Sequence, residues 1–295
     1  MGKHTAEAAA IDAVVDHAIE QNPHSSSLLE AFRPVIRQQR FLVESLPLPK
    51  LDYSTIDKDR MKSGVPVTRQ INLLSTDDPV KEATLCIAPA VSQGFPSLTE
   101  GIETFTYLVE GGVIDPADYF RTNTNDTTNS AAAAWEQEHA LDQELSLFLM
   151  NLVSRIILEK RAGEIEADMD RLPWEKGYCP ICGAFPSIAL IEEEGGRRFL
   201  HCSSCGHDWS FTRVACPYCE HRTPQGMHYF FIEGAPQESA FICERCNKYL
   251  VTLHRVGNIL DRDMEVSAIS LAHLDILMRR KGYEPMSCCP WNTID

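Results

Sequence analysis

Residues 179 to 246 hold four Cys-x-x-Cys pairs in one uninterrupted run: Cys179/Cys182, Cys202/Cys205, Cys216/Cys219 and Cys243/Cys246. Eight of the chain's 11 cysteines lie in it. The first two pairs have 19 residues between them and the last two have 23. A hairpin of either length can bring two pairs to one tetrahedral metal ion. Each pair has the features of a metal knuckle, a tight turn whose backbone N–H groups point at the sulfurs and stabilise their charge. Pro180 presets its own φ, and Gly183 can take the left-handed conformation that exposes those amides. Gly206 repeats the pattern after the second pair, Cys216-Pro-Tyr-Cys219 echoes it, and Asn247, the next best left-handed residue type, follows the fourth.

The segments between the pairs read as strands. Ser187 to Ile191, a Glu/Gly turn at 192 to 196, and Arg197 to His201 predict a hairpin returning the chain to the first knuckle. Met227 to Ile232 and Ser239 to Ile242, turning through Gly234-Ala-Pro236, do the same in the second unit. An apolar strand follows each unit, Trp209 to Val214 and Tyr249 to Val256. The region is therefore an internal duplication, offset by 37 residues at the first knuckles (216 − 179) and 41 at the second (243 − 202). Knuckles one with two and three with four are the expected partners because each hairpin closes locally; a cross-braced pairing of one with three and two with four is the alternative.

At 295 residues the chain can bury a substantial core and divide into two or three domains. No run of about eighteen apolar residues is present, so no membrane span is expected. Met1 to Val15 lacks the basic start, apolar core and cleavage site of a secretory signal, which predicts a cytoplasmic location. In a reducing compartment, thiols in paired knuckles are read as metal ligands before disulfides. A redox dithiol of the thioredoxin kind would need a βαβ context that this region lacks. The net charge of -15 is uneven. Residues 171 to 256 balance nine Lys/Arg against nine Asp/Glu, while residues 1 to 170 carry 14 against 27, a net of −13. Neither part offers the basic face a nucleic acid needs.

Ahead of the cysteines the periodicity is helical. Helices are expected over residues 5 to 21, from Ser26 or Ser27 to Pro47 with Pro34 inside, from Pro79 to Gly94, from Ser97 to Glu110, and as a short turn over 115 to 120. Residues 121 to 130 are too polar to bury and predict an exposed loop, whereas residues 47 to 78 predict only a connector with one short helix. The longest helix is expected from Ser130 to about Arg161, with Leu141, Leu145, Phe148, Leu149, Leu152, Ile156 and Ile157 as a core stripe. After the cysteines, one amphipathic helix is expected over Glu265 to Lys281. Cys288 and Cys289 read as surface thiols and Cys86 as a buried bystander. His201, His207 and His221 flank knuckles that already have their sulfurs, and read as exposed residues or as neighbours of the ligands.

The fold class is thus α+β, a mainly helical N-terminal domain (1–170), two tandem small β modules of zinc-ribbon or rubredoxin type (171–214 and 215–258), and a C-terminal helix and tail (259–295). Four thiolates around a divalent ion form a closed shell without an open position for water, so the sites are not hydrolytic catalysts. The ligand set suits zinc or a single iron, with zinc the physical default. No Ser/His/Asp order, phosphate loop or paired carboxylates stand out.

At Trp174-Glu-Lys-Gly-Tyr-Cys-Pro-Ile-Cys-Gly183, Arg198-Phe-Leu-His-Cys-Ser-Ser-Cys205, Trp209, Arg213, Cys216-x-x-Cys219, Cys243-x-x-Cys-Asn-Lys-Tyr249 and the final Leu274-Asp-x-Leu helix, the chain resembles the formate dehydrogenase accessory protein FdhE family. The resemblance covers roughly residues 170 to 283. It implies a cytoplasmic assembly factor and not an enzyme, one that binds the catalytic subunit of formate dehydrogenase before export by the twin-arginine route. It also implies two iron ions held in rubredoxin-like fashion by Cys179, Cys182, Cys202, Cys205, Cys216, Cys219, Cys243 and Cys246. An acidic pair common near the start of the family's last helix is not evident at Val266-Ser-Ala-Ile-Ser270. A redox component acting on the client enzyme is the competing expectation, and a homo-oligomer is left open.

Overall fold

The computed structural model describes residues 2–121, 138–139, 141–169, 172–257 and 262–292. The loop expected over 121 to 130 and the start of the expected long helix fall almost wholly outside the described residues. The chain divides into two compact units, one of Met1–Asp12, Glu30–Asp52 and Asn72–Arg161, the other of Ala13–Leu29, Tyr53–Ile71 and Ala162–Asp295. The 1–170 segment thus contributes to both.

The first unit is helical. It takes the start of α1 (Gly2–Gln21), most of α2 (Ser26–Ser45), α4 (Val80–Gly94), α5 (Thr99–Glu110), α6 (Asp118–Arg121) and α7 (Gln143–Met169) as far as Arg161. Leu145, Leu149, Leu152, Ile156 and Ile157 of α7 are buried, as the periodicity requires, and Met150 and Val153 join them. Each such side chain contributes about 1.5–3 kcal/mol relative to exposure. Phe95 stacks edge-on against Phe32 and Phe148, with ring centroids 5.0 and 5.7 Å away. Pro34 and Pro89 both lie inside their helices without ending them. Cys86 is exposed on α4, correcting the buried reading. Ala83, Thr84, Ile87, Ala88 and Val91 form the buried face of that helix, and Cys86 falls off it.

The second unit contains α3 (Lys58–Lys62) and a mixed sheet of β1 (Pro186–Glu192), β2 (Arg198–Cys202), β3 (Asp208–Phe211), β4 (Met227–Ile232), β5 (Ala235–Cys243), β6 (Lys248–Val256) and the short β7 (Glu284–Pro285). The strand order is β3-β2-β1-β6-β5-β4, with β7 also on β6. Both expected hairpins form, β1 with β2 and β4 with β5, and both expected following strands are present. The duplicated units do not stay separate. β1 pairs in parallel with β6, Ala189 opposite Thr252 and Leu190 opposite Leu253, so the two modules share one sheet. Its buried middle reads as apolar runs, Ile188 to Ile191 and Tyr249 to Leu253.

The single helix expected over 265 to 281 is two, α8 (Met264–Ser270) and α9 (Ala272–Arg280), separated at Leu271. Asp263 caps α8 by accepting from the Val266 amide at 2.9 Å. α8 is buried on every side, including Glu265, Ser267 and Ser270, which a one-sided amphipathic pattern does not anticipate. No helix among the described residues is long and apolar enough to cross a membrane.

Candidate metal centres

All four knuckles share one local geometry. The amide of the first cysteine donates to the carbonyl five residues on in three of them: Cys179 to Ala184 at 2.8 Å, Cys202 to His207 at 3.0 Å and Cys216 to His221 at 2.8 Å. In the fourth, Cys243 pairs with Lys248 across the β5–β6 turn, the same spacing. This closes only when the residue after the second cysteine is left-handed. Gly183, Gly206, Glu220 and Asn247 have φ of 79, 68, 55 and 57°. Amides then point inward: those of Ile181, Ser204 and Cys205 reach the sulfurs of Cys179 and Cys202 at 3.4 Å.

The sulfurs meet in the locally paired arrangement. Cys179, Cys182, Cys202 and Cys205 form one cluster and Cys216, Cys219, Cys243 and Cys246 the other, with Sγ atoms in each within 4.8 Å of one another. In the first, Cys179 lies 3.5 Å from Cys205 and Cys182 3.2 Å from Cys202. In the second, Cys216–Cys246 and Cys219–Cys243 are both 3.8 Å. A tetrahedron with metal–sulfur bonds of about 2.3 Å has sulfur–sulfur edges of about 3.8 Å, whereas a disulfide is about 2.0 Å. Both sets therefore fit one tetrahedral ion each, and no disulfide joins any of the eight sulfurs.

Electrostatics favour the same reading. Burial drives the Cys179 and Cys205 thiols well above their usual value. Burial also opposes ionisation of Cys202, but hydrogen bonds from Cys179, Cys182 and Cys205 overcome it and draw Cys202 well down. In the second cluster burial raises Cys216 and pushes Cys246 up to about 12, while amide and thiol donors lower Cys219 against burial. Four thiolates this close together, most of them buried, become stable only around a cation.

The histidines stand outside both clusters. His201 and His207 are buried, so of the two expected readings they are neighbours of the second knuckle and not exposed residues. His201 Nδ1 is 2.7 Å from Asp208 Oδ1, and His207 Nδ1 lies 3.7 Å from a Glu166 carboxylate oxygen. His221 is half-buried with Nδ1 3.0 Å from Arg245. Cys288 is exposed as expected, but Cys289 is buried, because its amide donates to Asn292 Oδ1 at 2.7 Å and folds the tail inward.

Residues 47 to 78, a connector by sequence, carry a brace on the first knuckle that their sequence does not signal. The Val67 and Thr68 amides donate to the carbonyls of Pro180 and Ile181 at 3.0 Å, and Thr68 Oγ1 donates to the Cys182 carbonyl at 3.0 Å. The Tyr178 hydroxyl donates to the Gly64 carbonyl at 2.7 Å. No local signal marks these contacts, since they join residues more than a hundred positions apart.

Helices with a sheet carrying two four-sulfur knuckle clusters define a protein of the paired rubredoxin-knuckle or zinc-ribbon class. Within that class, residues 178–213 match the model of "FdhE, central domain". Similar curated proteins are an FdhE homolog of Aquifex aeolicus (27% identity; 50% of this chain, 52% of that one) and one of Stutzerimonas stutzeri (37%; 37% and 36%). Protein FdhE of Salmonella paratyphi A is 32% identical over 50% of this chain and 45% of its own. The chain thus spans about half the length of the curated relatives it matches, or less. The crystal structure of the FdhE protein from Pseudomonas aeruginosa shares the fold, with a TM-score of 0.64 at 18% identity over 95% of this chain and 92% of that one. The central cysteine region thus matches the FdhE family model, and about half of the chain or less aligns with the FdhE proteins it is similar to.

Proposed function

We propose that this protein is an accessory factor for formate dehydrogenase that binds the enzyme's catalytic subunit in the cytoplasm before export, and is not itself an enzyme. The observation that carries the reading is the pair of closed four-sulfur clusters in a chain similar to FdhE proteins. Cys179, Cys182, Cys202 and Cys205 would hold one ion, and Cys216, Cys219, Cys243 and Cys246 the other. With all four positions taken by sulfur, a bound ion supplies folding energy or a one-electron couple and no activated water. The chain's residues do the rest: knuckle amides disperse the thiolate charge, and Gly64, Val67 and Thr68 hold the first knuckle from outside.

Co-purification tests the client. Tagged protein should enrich the catalytic subunit of formate dehydrogenase over an unrelated exported enzyme, and equal recovery of both would reject the assignment. The redox reading is separated by metal content and an absorption spectrum on anaerobically purified protein. About two irons per chain with thiolate-to-iron bands would support it. Two zincs and no visible bands would leave client binding alone.

A further inference from the structure

The two knuckle clusters are built against each other. Gly177, two residues before Cys179, packs on Pro217 of the third knuckle so closely that a Cβ there would lie 1.8 Å from the Pro217 carbonyl oxygen. Beside it Lys176 Nζ pairs with Glu220 Oε2 at 3.1 Å, and Glu220 is the left-handed residue that closes the third knuckle. Trp209 Nε1 donates to the Lys176 carbonyl at 3.1 Å and Trp174 Nε1 to that of Tyr178 at 2.7 Å, so this segment is pinned along its length. The ring of Phe185, just past the first knuckle, stacks on Tyr218 within the third at 4.6 Å.

A second link runs through the sheet. Arg198 of β2, with only 1% of its surface exposed, donates to the carbonyls of Thr212 and Ala215; the Ala215 contact is 2.6 Å and immediately precedes Cys216. Its guanidinium also lies over the rings of Phe211 and Phe241, 5.1 and 5.4 Å from their centroids. The tail makes a third link. Asn247, which closes the fourth knuckle, accepts from the Glu284 amide at 3.0 Å and donates from Nδ2 to the Gly282 carbonyl at 2.7 Å. Three residues on, Ser287 Oγ donates to the Pro186 carbonyl at 2.7 Å beside the first knuckle.

We propose that the wall of Lys176, Gly177, Arg198 and the 282–287 tail couples the two clusters, so that a metal ion in one raises the affinity of the other; this rests on the assignment of both cysteine sets as metal sites. A metal in the first cluster fixes the backbone on both sides of its knuckle, and with it Gly177 and Arg198. These are the groups that hold Pro217 and Ala215 in place. The conformational entropy of ordering the shared wall is thus lost once, and the second ion meets a preordered site. Two clusters of like negative charge oppose the coupling. Arg198, bonded to the carbonyl of Ala215 next to Cys216, offsets part of that repulsion, whereas the charges of Lys176 and Lys248 are taken up by Glu220 and Glu284.

The test is a zinc titration of reduced, demetallated full-length protein read by native mass spectrometry. Independent equal sites leave about half the molecules with one ion at half-saturation, and tenfold coupling leaves about a quarter. A one-ion fraction well below half is the expected result; a fraction of half or more overturns the coupling and leaves two independent metal sites standing. Uptake of no zinc in excess would instead remove the metal assignment and the coupling with it. Gly177→Val keeps all eight cysteines and should return the one-ion fraction to about half or above; a variant that takes up zinc like the parent would overturn the role of the wall.

Discussion

At the scale of single residues, the left-handed position after each second cysteine controls whether a knuckle can close. Gly183 occupies it at φ 79°, and a Cβ there would also come 3.3 Å from the Pro66 ring. Gly183→Ala should cost about 1–2 kcal/mol of stability, read by chemical denaturation, because an L-residue is strained in that region. Glu220 bears this strain in the native protein, and no turn-forming residue type announces it. Asn247 and the two glycines were legible because their types prefer the conformation; Glu220 adopts it because the knuckle requires it. In the helical unit, Arg161 and Asp78 are both fully buried and pair at 2.8 Å. Asp78→Ala should destabilise the protein by about 3–5 kcal/mol, since it takes the carboxylate from a buried guanidinium. A loss under about 1 kcal/mol in thermal or urea unfolding would contradict this.

At the scale of elements, the β hairpins depend on their sulfurs. Replacing Cys179 and Cys182 by Ser should remove at least one metal ion per chain and make residues 172 to 214 protease-sensitive, because a small hairpin has little core of its own. Unchanged metal content and protease resistance would refute the prediction. Helix α9 is anchored differently. Tyr249 of β6 donates to Asp275 Oδ1 at 2.8 Å, and burial pushes the Asp275 carboxyl up to about 7 although Tyr249 and Asn292 pull it down. The unfolded carboxyl titrates near 3.8, so the folded state favours the protonated form. Stability should therefore fall as pH rises from about 4 to about 7 and level off above. Asp275→Asn should flatten that slope when melting is followed between pH 5 and 8. The sequence showed α9 by its period, but the break at Leu271 was hidden because α8 is buried all round and presents no polar face to read.

At the scale of the whole molecule, which cysteines meet and the order of their pairs were legible. Cys-x-x-Cys spacing, Gly183, Gly206 and Asn247 act within five residues, and the hairpins between pairs are short enough to bring their two knuckles to one ion. Local chemistry of that range is written in local sequence, and the same holds for the apolar stripe of α7. Other features rest on surfaces that meet only after folding: the parallel pairing of β1 with β6 that merges two modules into one sheet, the brace from Gly64 to Thr68, and the contact of Gly177 with Pro217. Buried Cys289 and exposed Cys86 belong with them, since a cysteine's burial depends on what packs over it. The sequence by itself determined which atoms can hold metal and which family the chain resembles, because sulfur spacing is a short-range constraint. Only the tertiary structure decided that the two clusters share a wall, because that contact joins backbone forty residues apart and no side-chain pattern encodes it.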